Sequence, residues 1–195
     1  MDSTAGTEPA PATRPRPSRR ARTLLAIAGA AVLAIAVVAV LTAAGGTGKT
    51  RQPLPTARSF TLTELARPGQ HVSLAAYSGR PVIINFFASW CAPCKRETPM
   101  LASFYREHHG RVLVIGVDSN DQATAALQFL KSEGVTYPVG FDDFPAPVTV
   151  SYGVVALPQT FELNARHQII RHIDGDVTVS QLNAWASNPA EAGPG

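Results

Sequence analysis

Several patterns of apolar and polar positions follow one another along this chain. Residues 1–22 are rich in Pro, Ala, Thr and Arg and show no apolar periodicity, which predicts a disordered tail. From Leu24 to Ala44 runs an uncharged stretch, LLAIAGAAVLAIAVVAVLTAA. As a helix it would span roughly 31 Å, against a bilayer core of about 30 Å. We read residues 23–45 as a transmembrane anchor and 46–58 as a linker. Beyond them the pattern changes to short apolar runs alternating with helical stretches, and residues 59–190 read as one folded domain.

Within that domain, Phe60 to Leu62 and His71 to Leu74 read as short strands joined through a Pro68-Gly69 turn. Pro81 to Phe87 is a continuous apolar run of strand length, as expected of a strand buried on both faces, and Arg111 to Val117 is a second. Cys91 to about His108 reads as a helix with an apolar stripe of Met100, Leu101, Phe104 and Tyr105, stopped by Gly110. Asp121 to Glu133 reads as another, with Ala126, Leu127, Phe129 and Leu130 inward and Gly134 as terminator. A Pro-rich connection follows, in which Asp142-Asp143 reads as a solvated turn. Gln159 to Leu163 and Gln168 to Ile173 form a predicted hairpin across Asn164-Ala165-Arg166, and Val179 to Ala186 a closing helix. The order β-α-β-α-β-β-α predicts an α/β fold with a mixed sheet and helices on both faces.

Charge refines the N-terminal reading. The formal net charge is +3, but five arginines fall between Arg14 and Arg22, so the basic balance belongs to the tail and is no nucleic-acid footprint. That cluster before the apolar run, against Lys49 and Arg51 after it, places the N-terminus in the cytoplasm and the folded domain outside. A cleavable signal peptide is the rival reading, although its apolar core is usually shorter. Arg19-Arg20 is weak evidence for a twin-arginine signal. Gly45 to Thr50 imitates the end of a phosphate-binding loop, but Pro53 and Pro55 disfavour the helix such a loop needs.

The chemistry concentrates in two cysteines, Cys91 and Cys94. A structural disulfide would close a long loop, and this pair closes almost none, so reversible redox chemistry explains it better. At the junction of a buried strand and a helix, the first sulfur meets unpaired N–H groups and the helix dipole, which favour thiolate over thiol. Cys91 is then the expected nucleophile and Cys94 the resolving thiol. Half a zinc site is the competing reading, but the histidines His71, His108, His109, His167 and His172 show no ligand spacing beside it. No metal and no cofactor are expected.

The run Phe86-Phe87-Ala88-Ser89-Trp90-Cys91-Ala92-Pro93-Cys94-Lys95-Arg96-Glu97-Thr98-Pro99 resembles the signature of the TlpA/ResA/CcmG branch of the thioredoxin superfamily, over roughly residues 59–187. Tyr152 to Phe161 resembles that family's loop with a cis-proline. The resemblance implies a thioredoxin-like fold and an extracytoplasmic thiol-disulfide oxidoreductase. It implies a cis Pro158 beside the cysteine pair and a Leu157 backbone free to pair with an extended substrate. It also implies that Trp90 shields the sulfur and contacts partners. Where cytosolic thioredoxin has a buried aspartate this chain has Asn85, so the proton relay falls to Glu97, with Lys95 and Arg96 adding positive potential. The segment from about Asp121 to Val150 would shape partner choice. Implied partners are proteins bearing a disulfide, apocytochrome c among them, and a membrane thiol electron donor. A general disulfide oxidase is the runner-up. A copper chaperone of the Sco type would need CxxxC, and a peroxiredoxin would need PxxxTxxC; this chain has neither.

Overall fold

The computed structural model describes residues 54–108 and 112–187. The expectations for the basic tail, the apolar run, the loop at 45–50 and Gly110 lie outside the described residues. Among the described residues no helix is long and apolar enough to cross a membrane.

The strands are β1 (Thr61–Glu64), β2 (His71–Ser73), β3 (Val82–Phe87), β4 (Leu113–Ser119), β5 (Val139–Asp142), β6 (Gln159–Leu163) and β7 (Ile169–Asp174). The helices are α1 (Ala92–His108), α2 (Ala123–Ser132), α3 (Pro147–Ser151) and α4 (Val179–Ser187). The strands form one mixed sheet in the order β2-β1-β5-β4-β3-β6-β7, with β3, β4 and β5 parallel and the outer pairings antiparallel.

Every residue of β3 and β4 is buried, because each strand has a neighbour on both edges and cover on both faces. Alternation along them sorts side chains between two cores. Ile83, Phe87 and Val114 join the cysteines, α1, α2 and α4. Ile84, Phe86 and Ile115 join Phe60, Leu74, Val148 and Phe161 on the other side. Gly116 is required where the first core is tightest, since a Cβ there would sit 3.0 Å from the Phe87 ring and from Val139. Gly134 ends α2 with φ +64, the left-handed position at which glycine carries no Cβ penalty.

Helices lie on both faces as expected, but unequally. The three long ones cover one face, and the five-residue α3 with a 3-10 turn at Leu74–Tyr77 covers the other. The connection before the hairpin contains β5 and α3, which the sequence pattern does not announce: four and five residues are too few for either period to register.

The expectation for Asp142-Asp143 is corrected in part. Asp143 is exposed, but Asp142 is buried and its carboxylate accepts the Val148 N–H at 3.2 Å, the Thr149 N–H at 2.7 Å and the Thr149 hydroxyl at 2.6 Å. It thus caps the first turn of α3, whose own N-cap residue, Ala146, has no side-chain acceptor to offer.

Candidate active site

The carboxyl ends of β3, β4 and β5 open toward one edge, where an α/β sheet places its crevice. Three loops meet there: Ala88–Cys91 after β3, Asn120–Gln122 after β4, and Tyr152–Pro158 before β6.

Cys91 and Cys94 form a disulfide across the first turn of α1, with Cα atoms 5.3 Å apart. Cys91 retains 4% exposure and Cys94 none, so the two sulfurs differ in access as the sequence implies. The Cys94 N–H points at the Cys91 sulfur at 3.2 Å. A donor aimed at that atom from a helix N-terminus favours negative charge on it once the disulfide is open. The Cys94 carbonyl is occupied by the Thr98 hydroxyl at 2.8 Å. Pro99, one residue further, supplies no N–H to the turn behind it.

Glu97 lies one turn beyond Cys94 and is fully buried. Its two oxygens accept from the Asn85 amide at 2.7 Å and from the Val177 N–H at 2.9 Å. Burial pushes its carboxyl up to about 7, against the pull of those two hydrogen bonds, so it can hold or release a proton near neutrality. Asn85 also donates to Thr160 at 3.1 Å, while its own oxygen is buried without a donor.

The Leu157–Pro158 peptide bond is cis, and Pro158 is buried at the head of β6. Trp90 does not pack into the core. It is 61% exposed, with its indole N–H donated to the Asn120 carbonyl at 3.2 Å, and with Val155 and Leu157 it borders a cleft of about 250 Å³ that reaches Ala146 and Thr149 on the α3 side. Val155 is 93% exposed, which leaves an apolar rim beside the disulfide. Arg96 faces Asp176 at 2.8 Å, so its charge is engaged with the loop before α4. Lys95 borders a polar recess with Ser89 and Glu133.

The family profile named Redoxin matches residues 50–185. The chain belongs to the Redoxin family. Within it, the chain is 32% identical over 118 residues to the thiol-disulfide oxidoreductase ResA of Bacillus subtilis, covering 60% of this chain and 65% of that one. It is 29% identical over 130 residues to ResA of Bacillus thuringiensis, covering 66% and 73%. Among solved structures, StoA of Bacillus subtilis superimposes with a TM-score of 0.57 at 27% identity, over 67% of this chain and 97% of StoA. With its own disulfide at the head of α1, this Redoxin domain is a thiol-disulfide oxidoreductase of thioredoxin-like fold.

Sequence reasoning passed over two buried carboxyl groups that the fold brings to the sheet interior. Asp118, at the end of β4, is fully buried. Glu162, on β6, is buried against Arg171 at 3.2 Å, and burial pushes it up to about 7 despite that cation. The available signal was an acidic residue inside an apolar strand, where an unpaired charge is rarely tolerated.

Proposed function

We propose that this chain reduces disulfides in partner proteins outside the cytoplasmic membrane, to which residues 24–44 tether it. The Cys91–Cys94 disulfide at the head of a buried helix, with a backbone donor on the more accessible sulfur, carries the reading.

In the reduced enzyme the Cys91 thiolate attacks one sulfur of a partner disulfide, forming the mixed disulfide and releasing a partner thiolate, which takes up a proton. Cys94 then loses its proton toward Glu97 and attacks the Cys91 sulfur. The second partner thiol leaves, and the enzyme disulfide closes. Two electrons pass to the partner, and a membrane thiol donor returns them. The exposed Trp90, Leu157 and the start of β6 at Pro158 supply an apolar edge on which an extended partner segment can lie. The substrate we propose is a protein disulfide such as that of apocytochrome c, whose two cysteines must be reduced before haem is attached; relatives named as thiol-disulfide oxidoreductases support the disulfide chemistry.

Cys94→Ala tests the assignment, because it stops resolution and leaves the partner covalently bound to Cys91 for identification by mass. Accumulation on Cys91→Ala instead would reverse the two roles. A reduction potential as high as that of strong oxidants would move the chain to the oxidase reading. Stoichiometric copper binding by the reduced domain would point to metal transfer.

A further inference from the structure

The approach to Cys91 is held by a carboxyl pair outside the machinery described so far. The Asp121 side chain accepts both the backbone N–H and the hydroxyl of Ser89, the latter at 3.0 Å, and also the Gln122 N–H at 2.6 Å. Its neighbour Asn120 takes the indole N–H of Trp90. Ser89 and Trp90 are the two residues before Cys91, so the β4–α2 loop fixes the segment from which that sulfur is presented. Behind this clamp, Asp118 pairs in register with Phe87 on β3 and Phe141 on β5, on the face that buries the cysteines. No donor among the described residues reaches either oxygen of its fully buried carboxyl group. A carboxylate there would be an unpaired buried anion beside Asp121. An acid there can instead give its own O–H to Asp121, which accepts.

We infer that Asp118 and Asp121 act as one positioning pair, in which the neutral buried acid supports the anion that clamps Ser89, and that loss of the Asp118 proton to solvent loosens the Ser89–Trp90 approach to Cys91. Only a proton moves. Burial, with repulsion and hydrogen bonding from Asp121 behind it, pushes Asp118 up to about 8, so the change falls within an ordinary pH range. Asp121 supplies the Coulombic effect on it. Other ionisable groups on the elements around this side of the sheet include Lys95 and Glu97 on α1, Lys131 on α2 and Glu133 after it, Tyr137 before β5, and Glu162 on β6 facing Arg171 on β7.

The inference rests on Cys91 being the presented sulfur, but it can be tested without thiol chemistry. In the oxidised full-length protein, in detergent, neither cysteine titrates. Trp185→Phe leaves Trp90 as the single indole of the two the chain contains. Its emission should change in a transition near pH 8. Asp118→Asn should abolish that transition and hold the emission at its low-pH value. Asp121→Asn should move it to lower pH, because the repulsion is lost and the charged acceptor becomes a neutral amide. Glu97→Gln should leave it in place. A transition that survives Asp118→Asn, or vanishes in Glu97→Gln, overturns the pair. Should Trp185→Phe fail to fold, hydrogen exchange at the Ser89 amide decides in the native background: protection should fall above the transition in the parent chain and persist in Asp118→Asn. Failure here with successful trapping on Cys91 would remove the pair alone; failure of trapping with these titrations intact would remove the assignment of Cys91.

Discussion

On the face covered by α1, α2 and α4, the carboxyl groups of Glu97, Asp118 and Glu162 lie fully buried; Glu97 takes two donors and Glu162 faces Arg171, while Asp118 takes no donor among the described residues. On the opposite face Asp142 is equally buried but receives two backbone N–H groups and the Thr149 hydroxyl, beside a cluster of Phe60, Phe86, Tyr152 and Phe161 rings. The carboxyl groups of the first face are pushed up to about 7, 8 and 7 by burial. A buried carboxyl whose donors fall short of its desolvation stores a proton, whereas the donors to Asp142 tie it to the first turn of α3. The cysteines share the proton-storing face.

The comparison is tested most forcefully on the aromatic side. Phe161, 4% exposed, has Tyr152 at 5.2 Å and Phe86 at 5.6 Å between ring centroids. Phe161→Ala should cost about 3–5 kcal/mol in urea unfolding. The rate of disulfide reduction per folded molecule, and its pH profile, should stay as in the parent. A changed pH profile would break the division between the faces.

Glu97→Gln should act in the opposite way. The folded-state value of about 7 lies above the ordinary 4.5, so the folded chain binds this proton more tightly than the unfolded chain. The resulting stability is complete below the ordinary value and is lost as pH rises through about 7. The full difference amounts to about 3 kcal/mol at most. Asp118 and Glu162 add the same sign, so the parent chain should weaken between mildly acid pH and pH 8. Glu97→Gln should flatten part of that slope and be the more stable protein at alkaline pH, while slowing the resolving step near neutrality. Urea midpoints at several pH values, compared with single-turnover rates, separate the two effects. The new amide replaces an oxygen that accepts a donor, and it is accommodated when the Asn85 amide flips to turn its unpaired oxygen toward it.

Asp142→Ala removes acceptors from three donors around α3, and should cost about 1–3 kcal/mol. Loosening should be local to α3 and the cleft it borders, visible as hydrogen exchange at Val148 and Thr149.

These contrasts also show what the amino-acid sequence makes legible. Strand β3, helix α1 and the hairpin β6–β7 could be read within a residue or two, because a run such as VIINFF and the stripe carrying Leu101 and Phe104 are long enough to express a period. The cysteine disulfide and the cis Pro158 were legible through a specific motif. What escaped depends on contacts distant in the chain. Asp142 is solvated by the helix that follows it, and Asp121 holds a serine 32 positions away. Trp90 lies outward because Asn120 offers its carbonyl to the indole. A charged residue in the sequence does not reveal which donors the fold will bring to it.

The smallest expected effect concerns the ion pair joining α1 to the loop before α4. Arg96 and Asp176 are 65% and 36% exposed, so their attraction is screened and Arg96→Ala should cost less than about 1 kcal/mol. Its consequence should appear at Glu97. Asp176 precedes Val177, whose N–H is one of the two donors to Glu97, and the two charges act on that carboxyl in opposite senses: Asp176 raises it and Arg96 lowers it. Arg96→Ala should therefore move the Glu97 titration upward and Asp176→Asn downward, each slightly, as followed by the carboxyl carbon shift in NMR. If both substitutions moved it upward, the pair would be acting through the placement of the Val177 N–H rather than through charge. The Glu97 carboxyl would then be tuned by the geometry of its two donors.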